Sequence, residues 1–321
     1  MLQIVNLANY SSEVETLYNN TDQLQIFLNF HQLDGLEMML CAPWNRHVHK
    51  PEWIQGVHLR FWPCWLEFWR GEQAQLLRQF GSEQKIKDFY GALTREAWLN
   101  IYRENIRAAT QTGAKYLVFH VSHTQLAEVF TWQFRTSDRE VIEASIEVIN
   151  ELAAEIPEGV ALLFENLWWP GLTLKDRELT ALLLDNVKHR NVGIMLDTGH
   201  LMNTNQELKT ETEGVDYILT LLSNLGEYRH YIKGIHLHQS LSGEYVKGSK
   251  VNPIPDYTMQ DLMKHVMKID QHQPFSTPEV QRIIDYVQPD YLVHEFLQNS
   301  WDDWGKKIRQ QQQALNFRGK K

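Results

Sequence analysis

The sequence predicts an α/β protein folded as a single (β/α)8 TIM barrel over residues 1–321. Three observations predict this fold. Eight short β-rich runs alternate with longer helical segments, several runs are almost continuously apolar, and neither an internal repeat nor a long Gly/Ser linker divides the chain. The length would allow two average domains, but a barrel of this size routinely forms one domain.

The predicted strands are rich in Val, Ile, Leu and Phe. Several lack the alternation of apolar and polar residues that a half-exposed strand shows, and this is typical of parallel strands covered on both faces. They span residues 2–8, 35–41, 56–62, 115–121, 160–166, 192–198, 232–238 and 291–296.

The segments between the strands carry helical periodicity. In "SDREVIEASIEVINELAAEI", Ile142, Ile146 and Ile149 recur at helical spacing after a capping residue, Ser137. "TREAWLNIYRENIRAAT" repeats the pattern, and Gly113 is placed to end that helix. Two connections, 64–93 and 239–277, exceed the usual length, so we expect them to form lids or binding elements.

Composition limits the partners and the compartment. Lys and Arg total 31 against 40 Asp and Glu, a formal net charge of −9, and no long basic run offers a footprint for nucleic acid. The N-terminal residues lack the pattern of a signal peptide, and no stretch of 18 apolar residues occurs. We therefore expect a cytoplasmic protein without membrane contact; the oligomeric state stays open.

Polar side chains collect at the carboxyl ends of six consecutive predicted strands. In a barrel these ends converge on one face, where active sites of the fold lie. Buried carboxylates close together repel and take up protons unless a cation keeps them ionised, so the pattern indicates a divalent metal. The residues are His58, His120, His123, Glu165, Asn166, Asp197, His200, His236, His238, His294 and Glu295.

Simpler interpretations exist for each residue taken singly. Asp197 can cap a following helix, and His58 or His120 can be an ordinary core histidine. His236 and His238 share a face of a regular strand, so one of them can orient the other. The start of an HExxH motif at "VHEF" fails because residue 298 is Gln and the segment predicts a strand. The coincidence across six strands favours a common site.

Four segments resemble motifs of the xylose isomerase-like barrels, a superfamily that includes endonuclease IV and sugar epimerases. They are "LVFHVSH", "LLFENLWWPG", "VGIMLDTGHLMNT" and "YIKGIHLHQS", in the order of the fourth to seventh strands. The resemblance implies a metal core of Glu165, Asp197, His236 and Glu295, with His200 near the metal or the substrate.

The endonuclease IV branch implies further ligands, and His58, His120 and His200 stand at matching positions. Its additional Asp-x-His pair, expected after the seventh strand, has no counterpart in "SLSGEYVKGSKVNPIPDY". We therefore expect an incomplete version of that branch's three-zinc site. Our predicted metal ligands are Glu165, Asp197, His236, Glu295, His200 and His120.

Two reaction classes and one non-catalytic alternative follow. We favour a sugar isomerase or epimerase that binds Mn²⁺, Mg²⁺ or Co²⁺. In this enzyme Glu165 and Glu295 would remove a proton from a small sugar-like substrate and return it. The alternatives are a zinc phosphodiester hydrolase acting on abasic DNA, and a barrel that binds metal and ligand without turnover. The predicted substrate contacts are His58, His200, Arg60, Asn166 and Trp168.

Overall fold

The computed structural model describes residues 1–9, 20–250 and 257–316. Its strands form a closed barrel in the order β1 to β8, and every neighbouring pair is parallel. The barrel closes between the first and last strands, where Ile4 pairs with Val293. The strands are β1 Leu2–Ala8, β2 Gly35–Met39, β3 Ile54–His58, β4 Tyr116–His120, β5 Ala161–Glu165, β6 Val192–Asp197, β7 Ile232–Leu237 and β8 Tyr291–His294.

Helices surround the barrel and fill its long connections. In chain order they are α1 Thr21–Phe30, α2 Leu66–Arg70, α3 Gln73–Phe80, α4 Glu83–Tyr90, α5 Arg95–Gln111, α6 Glu128–Thr131, α7 Asp138–Leu152, α8 Arg177–Asn186, α9 Thr198–Asn203, α10 Glu211–Asn224, α11 Gly243–Ser249, α12 Met259–Ile269, α13 Gln281–Val287 and α14 Trp301–Ala314. Short 3-10 turns cover Pro51–Trp53, Ala153–Glu155, Gly226–Tyr231 and Pro278–Val280. None of the helices in the described ranges is long and apolar enough to cross a membrane.

The predicted helix signals are confirmed where the structure describes them. Ser137 caps α7 in a capping box with Glu140, which satisfies two backbone N–H groups. Gly113 follows α5 with a φ of +83°, a conformation that L side chains rarely adopt. The described parts of the long connections contain α2 to α4 and α11 to α12, so much of their length is helical.

One predicted strand is displaced along the chain. The third was expected at 56–62, but β3 spans Ile54–His58. The apolar pattern continues beyond it because Trp62 is buried against α5, with its ring 5.4 Å from that of Trp98. Periodicity alone does not separate a strand from a buried loop that follows it.

The strands bury one set of side chains inside the barrel and another against the helices. Inward-facing residues form a small apolar cluster of Ile4, Tyr116, Val118, Leu163, Met195 and Val293. Their outward-facing neighbours belong to the large cluster that includes the helices. Because successive strand residues alternate faces, the residue two positions beyond each inward apolar residue also points into the barrel, one layer nearer its carboxyl end.

Candidate metal centre and pocket

A polar layer lies directly above this apolar cluster. Moving two residues along the strands leads from Val118 to His120, from Leu163 to Glu165, from Met195 to Asp197 and from Val293 to Glu295. His58 and His236 belong to the same layer on β3 and β7. The period of two therefore turns an apolar strand sequence into a ring of carboxylates and imidazoles.

The first group of this layer is centred on Glu165. Its Oε2 lies 3.0 Å from Nε2 of His58, and its Oε1 lies 3.2 Å from Nε2 of His120. The Nδ1 of His58 lies 2.9 Å from the carbonyl oxygen of Leu59, a contact that makes Nδ1 the donor and directs Nε2 toward the carboxylate. These three side chains could hold one metal ion.

The second group shares Glu165 and surrounds His236. The Nδ1 of His236 lies 3.4 Å from Oε1 of Glu165, 3.8 Å from Oδ2 of Asp197 and 3.2 Å from Oε2 of Glu295. Glu165, Asp197 and His236 are buried and could also hold a metal ion. Glu165 thus has an oxygen facing each of two neighbouring groups.

The third group contains residues that sequence reasoning missed. The Oδ2 of Asp270 lies 3.2 Å from Nε2 of His200 and 2.6 Å from Nε2 of His272. His238 completes a set of four side chains that could hold a metal ion, and its ring stacks on His272 with centroids 4.0 Å apart.

The expectation of a missing Asp-x-His pair was wrong. Asp270 and His272 have the Asp-x-His spacing, separated by Gln271, and they enter the site directly after α12. The pair lies beyond residues 240–257, where it was expected, because α11 and α12 lengthen the connection between β7 and β8. Sequence "DQHQP" carried the signal, but nothing in its local pattern shows that this segment returns to the barrel mouth.

The stretch "LDTGH" delivers two groups at once. Oδ1 of Asp197 accepts the backbone N–H of His200 at 2.6 Å and caps α9, while Oδ2 lies 2.9 Å from Nε2 of His238. The carboxylate therefore caps the helix and also faces the site. The first turn of α9 then places His200 beside the strand end, where its Nδ1 is 3.0 Å from the carbonyl oxygen of Asn166.

Glu37, on β2, is a further buried carboxylate that the prediction did not include. Its Oε1 lies 2.9 Å from Nε2 of His236, and its Oε2 accepts the hydroxyl of Tyr116 at 2.7 Å. A charged residue within the apolar strand "GLEMM" was the available signal. Glu37 lies on the side of the His236 ring that faces away from the other carboxylates.

Two histidines in the sequence-based collection lie outside the site. His294 precedes Glu295 and points to the opposite face of β8, where Nε2 lies 3.0 Å from Oε1 of Gln3 and Nδ1 lies 2.9 Å from Nε2 of Gln311. His123 lies beside Glu67, with Nε2 3.5 Å from Oε1. Including them as potential ligands was wrong, because the side chain of His294 lies on the outward face of β8 and that of His123 lies against Glu67.

The residues predicted to contact substrate occupy different positions. Trp168 lines the pocket, with its ring 5.1 Å from that of His200, and Arg60 also lines it with its guanidinium over Trp62. The amide of Asn166 exchanges two hydrogen bonds of 2.9 Å with the backbone of Asp197. Asn166 therefore ties β5 to β6, and contact with a substrate stays a prediction for it.

The charges of the site compensate one another. Burial raises the pKa of Glu165, but the charges of His120 and His236 outweigh burial and hold that pKa well below its usual range. Burial lowers the pKa of His272, but the Asp270 carboxylate raises it to about 9. Burial dominates at His120, whose pKa is lowered. Without a cation, protons on several imidazoles balance the carboxylates.

Several nitrogen and oxygen atoms of the site are oriented for metal binding and lack hydrogen-bond partners within the described parts of the chain. Nδ1 of His236, Oε2 of Glu295 and Oδ1 of Asp270 are buried, yet none makes a hydrogen bond of normal geometry to any residue the structure describes. Buried polar atoms ordinarily have partners. A mixture of imidazole and carboxylate donors suits zinc and several other divalent transition metals.

Comparison with known proteins identifies the family to which the chain is related. Residues 88–295 match the family described as "Xylose isomerase-like TIM barrel". Endonuclease IV from Thermus thermophilus has a TM-score of 0.54 and 12% identity, over 98% of this chain and 99% of that one. A putative xylose isomerase from Rhodospirillum rubrum has a TM-score of 0.54 and 14% identity, over the same shares.

A D-tagatose 3-epimerase-like protein has a TM-score of 0.53 and 14% identity, over 98% of this chain and 97% of that one. At these identities the three structures show a shared fold, and they do not choose between an epimerase and a hydrolase.

Proposed function

This chain belongs to the xylose isomerase-like TIM barrels, and from that premise we propose that it is a metal-dependent hydrolase of a small phosphate ester. One observation carries the proposal: four overlapping groups of possible ligands meet at the barrel mouth, and the Asp270 and His272 pair completes one of them. A single ion needs about four protein ligands at most in such a site, so one ion leaves these side chains unexplained.

The proposed ligands divide into three sets. The first is His58, His120 and Glu165. The second is Glu165, Asp197 and His236, to which we add Glu295 because its Oε2 lies 3.2 Å from Nδ1 of His236. The third is His200, Asp270 and His272. Glu165 would bridge the first two sets, because its Oε2 faces His58 of the first set and its Oε1 faces His236 of the second. Sets that share a carboxylate are the arrangement of multinuclear hydrolases. His238, in contact with Asp197 and His272, would orient both.

Divalent ions held there would lower the pKa of a nearby water and neutralise charge on the phosphoryl oxygens. The residues of the chain have the remaining tasks. Glu295 lines the pocket beside the second set, so one of its oxygens could bind the ion while the other accepts a proton from water. In the overall reaction a water oxygen bonds to phosphorus, the ester P–O bond breaks, and the alcohol leaves with a proton.

The sugar isomerase or epimerase remains the second candidate. Glu165 and Glu295 both approach Nδ1 of His236, at 3.4 and 3.2 Å, and both line the same pocket. These two glutamates could remove and return a proton at a carbon beside a carbonyl, with Asp197 and His236 completing the ligands of one ion. This function leaves His58, His120, Asp270 and His272 without a metal role.

Metal analysis of the purified protein separates the two candidates. The hydrolase predicts about three ions per chain, and the isomerase predicts about one. A parallel assay would follow release of 4-nitrophenol from mono- and bis(4-nitrophenyl) phosphate, with metal-stripped protein as the control. An abasic DNA duplex and a panel of ketoses and aldoses in deuterated water complete the comparison.

The expected result is hydrolysis of an aryl phosphate that is lost with the metal and restored on reloading. One ion per chain, together with deuterium incorporation into a sugar and no ester cleavage, would contradict the hydrolase. Cleavage confined to the abasic duplex would assign the hydrolysis to DNA instead of a small ester.

A further inference from the structure

The cavity above the polar layer has walls of an unexpected chemistry. It has a volume of about 460 Å³, within the range of small-molecule sites. Its floor contains the proposed metal ligands, including Glu165, Asp270 and Glu295. Its walls are almost entirely apolar and include Leu40, Phe61, Leu167, Trp168, Trp169 and Met263.

One wall is a single face of α12. The cavity is lined by residues of α12 with the spacing i, i+3, i+4, i+7 and i+8, which places them on one side of the helix: Met259, Leu262, Met263, Val266 and Met267. The helix ends immediately before Asp270. The insertion between β7 and β8 therefore supplies Asp270 and His272 of the third ligand group as well as the apolar wall above them.

The orientation of this helix is fixed from its other side. His265 lies in α12, with Nδ1 2.8 Å from the hydroxyl of Tyr245 on α11 and Nε2 3.2 Å from the carbonyl oxygen of Val129 on α6. Its ring also stacks on Phe130, with centroids 4.8 Å apart. These contacts keep the methionine face turned toward the cavity.

The methionines of that face are exposed. Met259, Met263 and Met267 have 46%, 54% and 41% of their surface accessible, with the described parts of the chain in place. Methionine is flexible and polarisable, so a row of it adapts to apolar ligands of different shape. Three exposed methionines beside two tryptophans form an apolar surface that a bound molecule would cover.

Charge restricts the other end of the ligand. Among the described residues that line the cavity, Arg60 is the only Lys or Arg. An anionic group would therefore find its partners at the floor, in the divalent ions that the proposed ligands would hold, and the walls offer few hydrogen-bonding groups for the hydroxyls of a sugar. A molecule that fills the cavity needs a polar end and an apolar end.

We propose that the substrate is amphipathic, a phosphate ester of an apolar alcohol, with the phosphate at the floor and an alkyl or aryl group along the α12 face. This inference rests on the proposed hydrolase function. The bond that breaks joins phosphorus to the ester oxygen, and the apolar alcohol and inorganic phosphate or a phosphomonoester are the products.

The test uses alkylphosphonates, which keep the anionic head but have no ester bond. Binding of methyl-, butyl- and hexylphosphonate to the metal-loaded protein would be measured by calorimetry. We expect the affinity to rise roughly two- to fourfold for each added methylene, because each one leaves water for the apolar walls. In the Met263→Gln/Met267→Gln double variant we expect the gain in affinity from methyl- to hexylphosphonate to shrink.

Leu77→Gln is the matched control, because Leu77 is 39% exposed on α3 and does not line this cavity. Affinity that does not rise with chain length in the natural protein, or a rise that persists unchanged in the double variant, would overturn the inference. Chain-length-dependent binding without hydrolysis of any ester would reject the hydrolase and keep the amphipathic site. Ester hydrolysis at a rate that does not depend on alkyl length would support the hydrolase and reject the amphipathic substrate.

Discussion

Gly199 and His238 lie so close that a β-carbon at residue 199 would stand 2.1 Å from Cε1 of the His238 ring. Real Cβ atoms essentially never approach so near, and the ring is confined by its stacking on His272 and its contact with Asp197. The glycine of "LDTGH" therefore creates the space in which an imidazole reaches the Asp197 carboxylate.

We predict that Gly199→Ala displaces His238 and weakens metal binding. Loss of a residue that orients ligands typically lowers metal affinity by about 10- to 100-fold. Competition with a fluorescent chelator would measure the change. Gly248→Ala is the control, because a β-carbon there meets nothing within 4 Å. Equal affinity in both variants would mean that His238 does not position the ligands.

Asp270→Asn should remove one metal ion and leave the others. Asp270 contacts His200 and His272 but none of the residues of the first set, so its loss should lower the metal content from about three to about two ions per chain. Glu165→Gln should cost more, because Glu165 faces two sets. Elemental analysis after gel filtration, with circular dichroism to confirm folding, measures both. A full metal content in Asp270→Asn would exclude the third site.

Glu37→Gln should weaken metal binding although Glu37 belongs to none of the proposed ligand sets. The neutral amide would no longer hold Nε2 of His236 as strongly, and substitutions of such supporting residues cost about 10- to 100-fold in affinity. Tyr116→Phe removes the other partner of Glu37 and leaves the His236 contact intact, so we expect a smaller effect. If the two variants lose the same affinity, orientation of His236 is not the cause.

Metal affinity should rise with pH. The Asp270 carboxylate raises the pKa of His272 to about 9, against the effect of burial, and the pKa values of His200 and His236 are raised as well. At neutral pH a metal must displace these protons, so affinity should increase by about tenfold per pH unit for each proton released, and level off above the raised pKa values. Calorimetry of Mn²⁺ binding in buffers of different ionisation enthalpy counts the protons. Binding without proton release would contradict this account.

His294 should make the fold sensitive to acid. Burial lowers its pKa to about 3, and its contacts with Gln3 and Gln311 fit a neutral ring that donates from Nε2 and accepts at Nδ1. Because the folded-state pKa lies below the unfolded one, stability present above pH 6.5 is lost as the pH falls toward 3. Between pH 7 and 5 the loss from this residue is about 2 kcal/mol.

Urea unfolding at the two pH values would measure that loss in the natural protein and in His294→Gln. Histidines common to both proteins, such as His31 and His49, contribute equally and cancel. We expect the free energy of unfolding to fall by about 2 kcal/mol less in the variant. The same fall in both proteins would show that His294 is not the titrating group.

The sequence alone determined the barrel and most of its polar layer. Strand residues alternate between two faces, so apolar runs that end in His120, Glu165, Asp197 or Glu295 already imply a ring of ligands at one end of a parallel barrel. The capping role of Asp197 and the end of α5 at Gly113 were local signals of the same kind. These features depend on near neighbours in the chain.

Tertiary structure alone decided which groups complete the site. Asp270 and His272 enter it only because α11 and α12 fold back over the barrel. Asp270 contacts His200, which lies 70 residues earlier in the chain, and no sequence periodicity in its segment predicts that contact. His294 looks like a ligand in the sequence, but its side chain lies on the outward face of β8. How the helices and strands pack decides which distant side chains meet, whereas hydrophobic periodicity predicts only local structure.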